Sequence, residues 1–539
     1  MKSSIQAKTI ALLSALIITT SLSSYNVEAA SRKTRNTRPT TTAGTATTTT
    51  IPTTTSGTNT TTTTSTTSTT GTSAATTTTT APSGAVDVSA VYGLQSGKTL
   101  YYNSSTNRHY YDSNFTQSPQ LISDILNRAL LDNKNKGVTI YVPEGDYLLD
   151  KPLLLQNGVT LEGVSGKTRF FADDTFNRLN DDFVISNADN AQIHIKNIYV
   201  EYKGGKTPVF SDYTVNPKGI EGILLKILKT PKAVVENSSF IVKNNGTKTT
   251  ITPVWARNGF KNVDIHSCYI ENTSGANVGG CLWFMNNNGE IGDTVTAYNN
   301  TIVKNGNDEA IAIWGNEGGI NQNYNIYNNT VNYTKGTQNT TCDKLIAVLT
   351  WSNGLYKNIK FSGNKINVSG NTRRIISTEI GQGTFSNVVF EKNIINDSTG
   401  DSTANTLLSV FEVWSDALAT DLTPEDMYLR GDVSFNYNTY TNTSGYGRRC
   451  FVNSHSALVK LTGNIVNSYF GYAVIFAEDN YSKIISGGND YNYSGTRSAE
   501  LAIIQGAESN AYYSGDKIRT GAVALTGTSN IVYSNCIYA

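Results

Sequence analysis

Val295-Thr296-Ala297-Tyr298-Asn299-Asn300-Thr301-Ile302 is one copy of a phrase that the chain repeats. Its frame is an apolar residue (most often Val), any residue, apolar, two residues, Asn, any residue, apolar. Asn300, Asn329, Asn364, Asn393, Asn438, Asn464 and Asn489 fill the Asn slot, and Cys268, Asp516 and Cys536 take it at the ends. The flanking slots stay apolar: Ala297 and Ile302, Ile326 and Val331, Phe361 and Ile366, Phe390 and Ile395, Phe435 and Tyr440, Leu461 and Val466. Successive Asn residues lie 29, 35, 29, 45, 26 and 25 residues apart. A fixed frame with variable spacing is one supersecondary unit repeated with surface insertions. Asn between apolar neighbours suits a tight corner, where it tolerates a left-handed backbone and its amide can bond to the amides stacked above and below.

A second register runs through the same units. Gly280–Met285, Glu309–Trp314, Lys344–Leu349, Arg374–Glu379, Leu407–Glu412, Arg449–Ser454, Tyr472–Ala477 and Glu500–Gln505 align as strands. Period-2 alternation turns Ile311 and Ile313, Ile346 and Val348, and Phe451 inward, leaving the opposite face to solvent. Each unit is therefore a coil of two or three short strands. The fold read from this pattern is all-β, a right-handed parallel β-helix, a solenoid of about a dozen coils beginning near residue 155.

The 539 residues do not all enter this pattern. Residues 1–29 read as a signal peptide: Lys2 and Lys8 precede the apolar run Ile10–Ile18, and Val27-Glu28-Ala29 offers a cleavage site. The run is too short to span a bilayer. Residues 30–84 are a Thr-rich linker whose composition cannot bury enough apolar surface to offset ordering. Residues 85–539 form the β-helix domain. A net charge of +1 excludes bulk attraction to nucleic acid. The expected protein is a secreted monomer, extracellular or at the cell surface, without membrane insertion. Its four His and five Cys show no metal-ligand spacing, so no cofactor is expected, and a Cys268–Cys281 disulfide is open.

Solenoids need their apolar end covered. Ser118-Pro119 suits an N-terminal cap, Leu121, Ile122, Ile125, Leu126, Ala129 and Leu130 recur at helical spacing, and Asn135-Lys136-Gly137 ends the run. This N-terminal capping helix, with Val142-Pro-Glu-Gly-Asp-Tyr147 and Gly158-Val-Thr-Leu-Glu-Gly163, resembles the entry of the pectate-lyase-like superfamily of right-handed parallel β-helix proteins. The resemblance extends over about residues 115–539 and implies the fold. It leaves chemistry open, because that superfamily holds lyases, hydrolases, epimerases, tailspikes and adhesins.

Chemistry is sought on the outward face of the second register. The alignment sets Glu379 beside Glu412, with Trp314, Trp351 and Trp414 near them. A carboxylate pair can serve glycoside cleavage, and exposed Trp faces pack on sugar rings. Asn307-Asp308-Glu309-Ala-Ile-Ala-Ile resembles the acidic strand of the polygalacturonase family, which implies an acid role at Asp308; Glu309, beside it at the strand entry, is also a candidate catalytic residue, and the His-Gly and Arg-Ile-Lys motifs of that family are missing. Arg374, Arg449 and Lys344 share a strand-start slot, flanked by Arg373 and Arg448, with His455 close behind. In lyase relatives such a cation abstracts the proton next to a uronate, with Ca²⁺ neutralising the carboxylate. Two functions follow as expectations. One is a secreted enzyme, lyase or glycoside hydrolase, cleaving a pectin-like or other acidic polysaccharide. The other is a non-catalytic glycan-binding, adhesion or structural protein.

Overall fold

A computed structural model describes residues 80–95, 97–176, 183–204, 222–243, 251–273, 279–334, 341–350, 352–400, 407–415, 430–477, 481–492, 500–504, 509–519 and 531–538. The residues read as a signal peptide, nearly all of those read as a linker, and Trp351 lie outside them.

Three parallel sheets run side by side along the molecule. Among the described residues the first has 15 strands, the second 14 and the third 12. Each coil visits them in the order third, first, second, as in Leu282–Asn287, Ile291–Tyr298 and Thr301–Lys304. Every strand pairs with its counterparts one coil away, for example Ile302 with Ile270 and Val331. This is the expected right-handed parallel β-helix. The stack begins earlier than residue 155. Val138–Tyr141 and Gly145–Leu149 already belong to it, and Val86–Asp87 pairs in front of Val138–Tyr141.

The Asn slot is a ladder. Asn300 Nδ2 donates to Asn329 Oδ1 (2.9 Å), Asn329 to Asn364 (3.0 Å), Asn364 to Asn393 (3.0 Å), Asn393 to Asn438 (2.9 Å), Asn438 to Asn464 (3.0 Å) and Asn464 to Asn489 (2.8 Å). Each amide also closes on a core carbonyl, as Asn364 does on Ile326 (2.9 Å). Cys268 N–H opens the ladder on Asn300 and Asp516 ends it by accepting from Asn489. One expectation is corrected: the ladder Asn is not the left-handed residue. That conformation belongs to the residue before it, Asn299, Asn328, Gly363, Lys392, Tyr437, Gly463, Gly488 and Gly515. The preceding residue turns the corner, which frees the Asn side chain to point inward. A second, outer ladder lies on the first sheet, where left-handed Asn323, Asn358 and Asn387 bond in sequence from Asp293.

Apolar slots fill the interior in stacks. Phe361, Phe390 and Phe435 lie ring over ring at 4.9 and 5.2 Å, and each fully buried ring contributes about 1.5–3 kcal/mol. The capping helix is Ser123–Asp132. Ser118-Pro119 does not cap it; the helix starts after Ile122, and Ser123 Oγ instead accepts from Asp150 N and Lys151 N (3.1 Å each). Asn127 reaches the edge of the first strand of the third sheet, donating to Pro152 O (2.8 Å) and accepting from Leu154 N (3.0 Å). Leu126, Ala129 and Leu130 close the core beneath. All five cysteines are free, so there is no Cys268–Cys281 bridge, and burial pushes both thiols up to about 12.

Candidate functional site

The third sheet carries a shared irregularity. In most coils two consecutive residues face the core, as Ala310 and Ile311, Leu345 and Ile346, Ile375 and Ile376, Val410 and Phe411, and Phe451 and Val452 do. The doubled step is shared by neighbouring strands, which stay paired one to one across it, and alternation puts the residue before it on the outer face. Lys344, Arg374 and Ser409 are aligned there, two residues before the paired Ile346, Ile376 and Phe411, and Glu309 holds the same place before Ile311.

The observed register corrects one expected pair. Glu412 pairs with Ser377, and Glu379 pairs with Trp414, so the two glutamates sit two positions apart rather than side by side. The outer column through Glu379 reads Met285, Trp314, Leu349, Glu379, Trp414, His455.

Opposite charges interleave between these columns. Lys344 Nζ lies 2.6 Å from Glu379 Oε1, and Arg374 Nε lies 2.5 Å from Glu412 Oε1. Arg374 also donates to Asp343 Oδ1 (2.7 Å), which Arg373 approaches at 3.6 Å. The Asn453 amide donates to His455 Nε2 (2.9 Å) and faces Glu412 Oε2 at 3.5 Å. The side chains of Glu379 and Glu412 are 7% and 3% exposed, so their attraction to the cations is little screened. Burial disfavours the charge on Lys344, but Glu379 and Glu309 outweigh it and raise its pKa; Glu412 and Asp343 likewise raise that of Arg374.

Glu309 differs from both. It is buried, and its Oε2 has no hydrogen bond. Burial, then the charge of half-buried Asp308, push its carboxyl well above the usual carboxylate range, against the opposing pull of Lys344. An acid that favours its neutral form thus sits next to a second carboxyl and within the field of an ammonium.

Of the other expected residues, Trp314 stacks on Trp283 (5.1 Å, 28°), and Trp283 meets Trp255 edge-on (5.0 Å, 86°). Trp255 and Trp283 are buried and extend the aromatic row toward the N-terminal coils; the alternation had not singled them out. Trp414 and His455 lie half-buried in the Glu379 column. Arg449 does not share the slot of Lys344 and Arg374, which Cys450 takes opposite Ser409; its guanidinium lies over the Phe476 ring (4.7 Å). Arg448 is not a surface residue. It is fully buried, paired with Asp397 (2.7 Å) and donating to Thr372 O (2.7 Å), because an interior charge persists only when matched and hydrogen-bonded. His194 and His266 converge on Glu236, at 2.8 and 3.7 Å, a meeting their sequence spacing hid.

The Ca²⁺ of a β-elimination has no fitting donor set at this site. Glu379, Glu412 and Asp343 are engaged by Lys344 and Arg374, and among the described residues no three His, Cys, Asp or Glu converge.

No family model matches the sequence, and no curated protein is similar to it. Solved structures are similar at low identity. The catalytic unit of a thermostable GH87 α-1,3-glucanase from Streptomyces thermodiastaticus is 14% identical, with a TM-score of 0.39 over 85% of this chain and 70% of that one. A tailspike mutant of E. coli bacteriophage HK620, in complex with a pentasaccharide, is 12% identical, with a TM-score of 0.45 over 79% and 77%. PfbA, a surface adhesin of Streptococcus pneumoniae, is 15% identical, with a TM-score of 0.36 over 80% and 91%. These likenesses assign no residue a role.

Proposed function

We propose that this chain is a secreted carbohydrate-active enzyme that cleaves a polysaccharide laid along the outer face of the third sheet. The observation that carries the reading is Glu309, a buried acid beside Asp308 whose Oε2 has no hydrogen bond and whose carboxyl is pushed above the usual carboxylate range by burial and by that neighbour. Glycoside cleavage needs one carboxyl that keeps its proton for the leaving oxygen and another that is ionised to act as base or nucleophile. Glu309 fits the first role and Asp308 the second. Lys344 holds Glu379, and Arg374 holds Glu412, so these pairs fix the field around the acid rather than transfer protons. Trp314 and Trp414 offer ring faces on either side of the charged row.

The test is incubation of the protein with neutral and acidic polysaccharides, following new reducing ends and the absorbance of unsaturated uronates. Reducing ends without absorbance are expected, and Glu309→Gln lowers the rate by about 10²-fold or more, the usual worth of a general acid. Full activity in Glu309→Gln would refute the assignment. Absorbance would overturn the hydrolase reading in favour of β-elimination.

One observation favours a second reading, a glycan-binding adhesion or structural protein. Glu379 and Glu412 are nearly buried in ion pairs, as structural charges are. Retention on a polysaccharide without any cleavage would select it.

A further inference from the structure

Away from the charged row, where the second sheet hands the chain to the third, the surface opens into a groove of about 220 Å³. One row of its wall is Asn332, Asn367, Asn396 and Thr441, which occupy a single column of the strand register. Their amides form a ladder of their own: Asn367 Nδ2 donates to Asn332 Oδ1 (2.8 Å), and Asn396 Nδ2 to Asn367 Oδ1 (2.9 Å). Unlike the buried ladder, this one faces solvent, and Asn396 is exposed. Bonding along the row fixes each amide plane, while leaving the second N–H and the second lone pair of Asn367 unspent. The wall therefore presents donors and acceptors at the coil spacing of about 4.8 Å, preorganised by the fold. Ser398 and Thr443, both exposed, add hydroxyls at the rim.

Among the described residues the groove offers no free charge. Asp397 borders it, but its carboxylate turns inward to Arg448 Nε (2.7 Å), Thr399 N (2.9 Å) and Tyr440 OH (3.0 Å). Among the described residues no Lys or Arg lines it, which leaves out the contacts a nucleic acid backbone requires. Nor can a peptide join as an extra strand, since the strands here already pair on both sides, coil to coil. What complements a rigid row of alternating N–H and C=O is a ligand whose groups are each donor and acceptor, with no charge to desolvate. We infer that this groove binds a neutral oligosaccharide through its hydroxyls. Its volume is below the about 300–1,000 Å³ of pockets for drug-sized ligands, so the groove seats a short stretch of the sugar chain. The inference does not rest on the cleavage reading, and the two can fail separately.

The experiment is affinity electrophoresis of the full chain in gels containing dextran, laminarin, mannan or neutral galactan, with pectate and alginate as acidic controls. At least one neutral polysaccharide is expected to retard the protein. Asn396→Ala, which removes an exposed ladder amide, and Ser398→Arg, which obstructs the rim, should each weaken that retardation by about tenfold, the scale of one well-made polar contact. Unaltered melting temperatures in both groove variants would show that the loss is local. The inference is overturned if no neutral polysaccharide retards the protein, if only the acidic ones do, or if both variants bind like the parent.

Discussion

Glu309 is the residue at which burial, charge and chemistry meet, and its titration carries a sign that can be measured. Its carboxyl is raised by desolvation and by Asp308, so the folded protein holds a proton that the unfolded chain releases near the ordinary carboxylate value. Below that value both states are protonated and the group is neutral in its effect. Above it the unfolded state gains by ionising while the folded state cannot, so stability falls with rising pH, by about 1.4 kcal/mol per unit until the folded-state pKa is reached. Glu309→Gln removes that loss. The variant should melt at the parent's temperature near pH 4 and progressively above it as pH rises toward neutrality; thermal melts across that range decide it, and parallel curves would mean Glu309 is ionised in the fold. Sequence made part of this site legible. A polar residue recurring at the strand start pointed to Glu309, Lys344 and Arg374, and all three share the outer face. The pairing of Glu379 with Glu412 was misread for a physical reason. A two-residue slip keeps every side chain on its face, so alternation cannot detect it.

At the scale of the element, the corner between the first and second sheets divides its labour between two residues. One turns the chain in a left-handed conformation and the next sends an amide into the ladder. Gly takes the turning position at residues 363, 463, 488 and 515, but Lys392 holds it at a φ of 54°. A side chain with a Cβ costs about 1–2 kcal/mol in that region, partly offset by the greater freedom of glycine in the unfolded chain. Lys392→Gly should therefore stabilise by about 0.5–1 kcal/mol. Asn393→Ala, one residue on, should destabilise by about 2–5 kcal/mol, because Asn364 N–H and Nδ2 lose their acceptor inside the core and Phe361 O loses its donor. Urea unfolding of the two variants checks this, and a loss in both would show that the turn depends on the lysine. The frame of the repeat was readable because Asn and its apolar neighbours keep phase over seven coils. The turning residue was not, since Asn, Gly, Lys and Tyr all serve there and share no chemistry.

Across the whole molecule, each coil of the stack touches only its neighbours, so local stability follows local bonding along one continuous core. The buried ladder supplies such a term in every coil from Cys268 to Asp516. Asp516 is its weak end: burial raises its pKa, and its Oδ2 is buried without a hydrogen bond. The next slot holds Cys536, which offers a thiol against Ser534 O at 3.7 Å in place of an amide. The strands around it leave Val532 and Ile537 about half exposed. The coils holding Asn364 and Asn393, by contrast, join two ladder bonds to stacked, fully buried Phe rings. Hydrogen exchange should register this as a gradient. The Asn364 N–H, bonded to Asn393 Oδ1, should exchange only through the largest openings, whereas the Ile537 N–H, bonded to Asp516 O at 2.8 Å, should exchange through local fraying at rates orders of magnitude faster. Raising the pH through the titration of Asp516 should widen the difference, because a charge at the ladder's end is then buried with one oxygen unpaired. Equal protection at both amides would mean that the stack opens as one cooperative body, and that the ladder's continuity, rather than its local strength, sets the stability of every coil.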